Sequence, residues 1–151
     1  TTRRSGVRLI DFGCAVGTAA PLVDATGTIL TWAPEMFTQA PHHTPADVWQ
    51  LGMVLLWALL LRTPIGEHHF AGWEAMVCAT PPQLPLFAPA DAAEPPMWPP
   101  ALEPIAAVAR LCCARAPHER ASAAAIRAAC AAIPGAGLPP AWAQPRGWRS
   151  G

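Results

Sequence analysis

The chain contains no lysine, no asparagine and no tyrosine. All ten basic residues are arginine, and ten acidic residues bring the formal net charge to zero. The three missing residue types have A/T-rich codons, whereas the abundant Ala, Pro, Arg and Gly have G/C-rich ones. The bias therefore reads as a G/C-rich genome. With neither net charge nor a basic run, binding to nucleic acid or to a membrane surface has no electrostatic basis. No Cys-x-x-Cys pair occurs among Cys14, Cys78, Cys112, Cys113 and Cys130, and five is an odd number. Neither a disulfide framework nor a zinc knuckle is indicated, and the cysteines read as buried free thiols in a reducing compartment. The first residues do not read as a signal peptide, and none is expected. The longest apolar run, Leu51 to Leu61, is eleven residues, short of the ~18 that a membrane helix needs. No internal repeat is visible.

What is present is enough apolar material for a core, 52% of 151 residues, and that argues against disorder. Val7-Arg8-Leu9-Ile10 reads as a short strand between Gly6 and Gly13. Residues 14 to 33 form a long Gly/Ala/Thr-rich loop. Thr44-Pro45-Ala46-Asp47 is a helix start, with Thr44 as cap, Pro45 in the first turn and Asp47 at the positive end of the helix. The helix that follows, ended by Arg62-Thr63-Pro64, is apolar on every side and belongs in the middle of a domain. A short helix is expected over 70 to 79. Eight prolines in residues 80 to 100 predict an irregular connection. Leu102, Ile105, Ala109 and Cys112 recur at helical spacing, as do Ile126, Ala129, Cys130 and Ile133. From Pro134 the chain reads as a loose Pro/Gly-rich tail. A single strand followed only by helices cannot satisfy its own ladder, so a fragment of a larger domain is expected.

Three short motifs occur in order. Asp11-Phe12-Gly13 follows the strand, Gly27-Thr28 leads to Ala33-Pro34-Glu35 at the end of the loop, and Asp47-x-Trp49-x-x-Gly52 opens the apolar helix. A tripeptide alone is weak evidence. The ordered set, in this secondary-structure context, resembles the eukaryotic-type serine/threonine protein kinase family. The resemblance runs from about Val7 to Ile133 and is loose between 63 and 100. It implies an α+β protein-kinase-like fold of which this chain is mainly the α-helical C-terminal lobe, residues 1–133, followed by the tail at 134–151. The wording from Gly27 to Glu35 looks like that of herpesvirus protein kinases, and the codon bias suits such a genome or an actinobacterial or myxobacterial one.

The resemblance assigns roles residue by residue. Asp11 matches the metal aspartate, whose carboxylate suits Mg2+ bound to the phosphates of ATP. Phe12 would pack beneath the site, and Gly13 would supply backbone freedom. An Asp after a strand, taken alone, is more often a turn residue. Thr28 stands where serine/threonine kinases carry a threonine facing the catalytic aspartate. Thr31 replaces a common aromatic residue. Glu35 and Arg120 match a buried ion pair, the alternative being two solvated charges. Asp47, besides favouring the helix start, matches a residue that accepts hydrogen bonds from the catalytic loop. Thr18 and Thr26 read as loop threonines, with phosphorylation as the alternative. The pairs His42-His43 and His68-His69 read as surface loop histidines rather than metal ligands, because adjacent side chains point apart. Cys14 reads as a small loop residue rather than a reactive thiol.

A kinase also needs a strand lysine, a catalytic aspartate and a second metal-binding asparagine. The absent Lys and Asn leave this chain short of them, and only ten residues precede Asp11. The reading is an intracellular, cytoplasmic kinase represented by an incomplete catalytic domain (host nucleus or virion if viral). Its partners would be ATP and protein substrates, without nucleic acid or membrane. Two alternatives stay open: a non-catalytic pseudokinase-like binding module, and an unrelated helical scaffold.

Overall fold

The computed structural model describes residues 8–17, 20–60, 70–80, 82–87 and 98–133. Among the described residues five helices follow one another: α1 (Pro34–Phe37), α2 (Thr44–Leu60), α3 (Phe70–Cys78), α4 (Glu103–Cys112) and α5 (Ala123–Ala131). Single 3-10 turns lie at Ile29–Thr31, Pro85–Phe87, Pro100–Leu102 and Pro117–Glu119. The tail from Pro134, the histidines at 68 and 69, and Thr18 lie outside the described residues.

No strand forms at residues 8 to 10, which corrects the expected β-segment; Leu9 and Ile10 are exposed. An extended segment becomes a strand only when a neighbour takes up its N–H and C=O groups. Among the described residues, the β-pairing present is an isolated antiparallel bridge between Leu22 and His42. Its two backbone hydrogen bonds measure 2.9 and 2.8 Å and tie the long loop to the approach to α2. His42 is thereby buried at 6% exposure, against the expectation of a surface histidine, and its Nδ1 lies 3.2 Å from the Ala40 carbonyl. His43 is exposed as expected.

The helices begin where local chemistry favours them. Thr44 is the first residue of α2, and Pro45 and Asp47 sit in its first turn. Ser122 caps α5 by accepting the amide of Ala125 at 3.2 Å, a bond typically worth about 1 kcal/mol. The core gathers Trp49, Met53 and Leu56 of α2, Trp73 and Val77 of α3, and Ala106, Ala109 and Cys112 of α4. α2 packs chiefly against α4, α4 against α5, and α1 against α3. α2 is not buried on every side. Leu51 and Val54 are 43% and 53% exposed, so within the described residues this helix covers one face only.

Of the proline-rich connection, residues 88–97 lie outside the described residues, and the described residues on either side of them are fastened by one arginine. Arg110 of α4 donates to the Leu86 carbonyl at 2.6 Å and to Glu103 at 2.5 Å. The same guanidinium lies over the Trp98 ring, 5.9 Å from its centroid, and the Trp98 indole N–H donates to Glu103 at 3.0 Å.

α2 and α4 approach closely at Gly52. A methyl group there would stand 2.7 Å from Cys112 Cβ and 3.3 Å from the Ala109 carbonyl, and would collide with Cys113 Sγ. Helix propensity alone favours alanine over glycine by about 1 kcal/mol. Overpacking costs roughly 1–3 kcal/mol, and here it falls on a helix-helix contact whose backbone cannot step aside. Gly52→Ala is therefore expected to lower the urea midpoint of the intact protein. A raised midpoint would mean that the contact is looser than described.

Candidate functional site

The motif residues fall into two groups that differ in surroundings. The first is the turn at Asp11-Phe12-Gly13. Asp11 is exposed and its backbone sits in the left-handed region at φ 60°. Such a conformation is uncommon outside glycine, although Asp and Asn enter it more readily than other residues. The turn closes with the Ala15 amide donating to the Phe12 carbonyl at 3.0 Å. Gly13 was expected to supply the backbone freedom, but positive φ falls on Asp11 and, further on, on Gly27 (φ 86°). Phe12 is 68% exposed, so the packing role implied for it is not made by any described residue of this chain. Cys14 is also exposed, unlike the expected buried thiol.

The second group surrounds α1. The loop before it is pinned from within. The Thr28 carbonyl accepts both the Thr31 amide at 2.9 Å and the Thr31 hydroxyl at 2.8 Å. The Trp32 indole donates to the Thr26 carbonyl at 3.2 Å. Thr28 and Thr26 themselves are exposed. Thr31, buried, thus makes an internal hydrogen bond at the position where the resemblance leads one to expect an aromatic ring.

Glu35 and Arg120, 85 residues apart, form a two-pronged ion pair. Nη1 and Nη2 of the arginine donate to Oε1 and Oε2 at 2.6 and 2.7 Å. Both side chains are buried, at 8% and 7% exposure. The remaining three N–H groups are also used. They donate to the carbonyls of Ala114 at 2.8 Å, Pro45 at 2.9 Å and Arg115 at 3.1 Å. A guanidinium has five such donors, so the buried cation is fully satisfied. It also lies over the Trp49 ring, 5.1 Å from the centroid. One side chain therefore joins the end of the long loop, the start of α2 and the turn between α4 and α5. Asp47 is exposed and meets no hydrogen-bond partner among the described residues.

The thiols are free. Burial, with a small contribution from Cys130, raises Cys112 to about 11, and burial raises Cys113 as well. Burial followed by Glu74 raises Cys78. Neutral thiols of this kind are poor nucleophiles and poor metal ligands. No group of three or more metal-ligating side chains comes together among the described residues. No described helix is long and apolar enough to cross a membrane.

Periodicity and motif reading missed two features. A cleft of about 370 Å3 opens between the loop at Val23 to Ala25 and α1, and Gln39 at its rim is held at φ 53°. No local signal marks a cleft made by segments that meet only in the fold.

Comparison with known proteins agrees with the motif order. Over 63 residues the chain is 40% identical to a Dictyostelium discoideum protein described as a probable serine/threonine-protein kinase, mkcB. That stretch is 40% of this chain, and the chain spans only 9% of the relative's length. The protein kinase domain family matches residues 1–129. The chain belongs to the protein kinase family.

Proposed function

We propose that residues 1–133 are the helical C-terminal lobe of a serine/threonine protein kinase domain, with 134–151 as a tail. The protein that contains them would transfer the γ-phosphoryl group of Mg-ATP to serine or threonine hydroxyls of proteins. The observation that carries this reading is Asp11, held left-handed and open to solvent at the position that matches the family's metal aspartate. Non-glycine residues in that conformation concentrate at functional sites, where the backbone aims a side chain.

The chemistry of the donor fits. Mg2+ usually takes one or two carboxylates, with phosphates and water completing its sphere, and Asp11 offers one carboxylate. When bound, the ion would neutralise charge on the phosphates. The chain's own residues would hold and position. Asp11 would orient the metal-bound phosphates, Phe12 and Gly13 would shape the turn that carries it, and Thr28 would face the acceptor side. Glu35 and Arg120 would keep the loop that ends at Glu35 anchored to the helices.

The second reading, a non-catalytic binding module, is favoured by the lack of any Lys or Asn in the chain. The two readings part in one assay. The 151-residue chain incubated with Mg-ATP and a general protein substrate is expected to transfer no phosphate above a no-protein control. A longer protein that also carries a catalytic loop is expected to label serine and threonine. Transfer by the 151 residues alone would overturn the division of roles. An inert longer protein would establish the binding module instead.

A further inference from the structure

The cleft beside α1 is separate from the Asp11 turn and has a distinctive lining. Asp24 is the single charged residue in it. Trp32 and Phe37 also line it and meet edge to face with centroids 5.5 Å apart at 63°. The indole is held by its bond to the Thr26 carbonyl, so its orientation is set before any ligand arrives. Gln39 adds an amide at the rim. Trp32 and Phe37 are half-buried and Asp24 is exposed.

The occupant follows from charge complementarity. An anion would be repelled by Asp24. An aliphatic side chain would strip water from the carboxylate and the amide without replacing their hydrogen bonds. A cation gains from the carboxylate and from the negative face of the Trp32 ring. Between the two cationic side chains, arginine fits better. Its planar, weakly hydrated guanidinium stacks on aromatic rings while its N–H fork reaches a carboxylate, whereas an ammonium is compact and strongly hydrated. We propose that this cleft receives an arginine side chain of the peptide segment presented for phosphorylation. That the peptide is a substrate rests on the kinase reading above; the recognition itself needs no catalysis.

The test is equilibrium binding to the intact protein without nucleotide. The probes are fluorescein-labelled Ala/Ser peptides with one arginine, citrulline, norleucine or glutamate at a single position. Arginine is expected to bind roughly tenfold more tightly than citrulline, which keeps the shape and lacks the charge, as one cation-aromatic contact plus one partly exposed ion pair predicts. Asp24→Asn should erase that preference, and Asp24→Arg should transfer it to the glutamate peptide. Asp24 is exposed, so neither variant should change the circular dichroism. Equal binding of the arginine, citrulline and norleucine peptides would overturn the inference, as would a preference that survives Asp24→Asn. Arginine-selective binding in a protein that transfers no phosphate would support the cleft assignment and overturn the catalytic reading, so the two failures are distinguishable.

Discussion

On the metal role proposed for Asp11, Asp11→Asn is expected to lower phosphotransfer by the kinase that contains this chain on the order of a thousandfold, since a metal-held phosphate contributes several kcal/mol to the transition state at ~1.4 kcal/mol per factor of ten. The choice of asparagine matters. Asn enters the left-handed region about as readily as Asp, so the backbone at φ 60° is undisturbed. Alanine there would add strain and confuse a chemical effect with a folding one. The side chain is exposed, and no described group depends on its charge, so the melting temperature should not move. What changes is the oxygen offered to the ion. A neutral amide carbonyl is a weaker ligand for a hard cation than a carboxylate is. Kinetic assays of the two proteins at saturating Mg-ATP would read the loss. Near-normal turnover would remove Asp11 from the metal site.

The second large effect concerns stability. Arg120→Ala and Glu35→Ala are each expected to cost roughly 3–5 kcal/mol, because each leaves a buried charge without its partner. Arg120→Ala should be the worse of the two. It strips the donors from three backbone carbonyls as well as from Glu35, and it removes the cation above Trp49. The double variant should cost less than the sum, with a coupling of roughly 0.5–3 kcal/mol. Arg120→Lys should rescue little, since an ammonium cannot present five N–H groups in one plane. Urea unfolding of the four proteins closes the cycle. A coupling near zero would contradict the two-pronged geometry.

How much of this was legible in the sequence depended on whether the signal was local. The start of α2 could be read from Pro45 and Asp47, because first-turn and dipole preferences act within one turn, although Thr44, expected as the cap, is itself the first helical residue. The spacing of Ile105, Ala109 and Cys112 marked α4 for the same reason. The meeting of Glu35 with Arg120 came from motif resemblance; no periodicity spans 85 residues. The Leu22–His42 bridge, the buried imidazole and the cleft walls had no sequence signal at all, since each is made by segments that local propensity treats as unrelated loop. The expected strand failed because a strand is a property of a pair. The exposed side of α2 was misread because an all-apolar helix shows no polar face to reveal which side is covered.

The long separation between Glu35 and Arg120 also imposes a sequence of events during synthesis. A ribosome adds roughly 5–20 residues per second, so the carboxylate is made about 4 to 17 seconds before the guanidinium that will neutralise it. Over that interval Trp49 too lacks the cation that will cover it. The helix of Thr44–Leu60 can form early, yet the ion pair that fastens its start to the end of the loop must wait until the turn after Cys112 has been made. A nascent chain stalled before residue 120 should therefore remain open to protease near Glu35, and one released just past it should close.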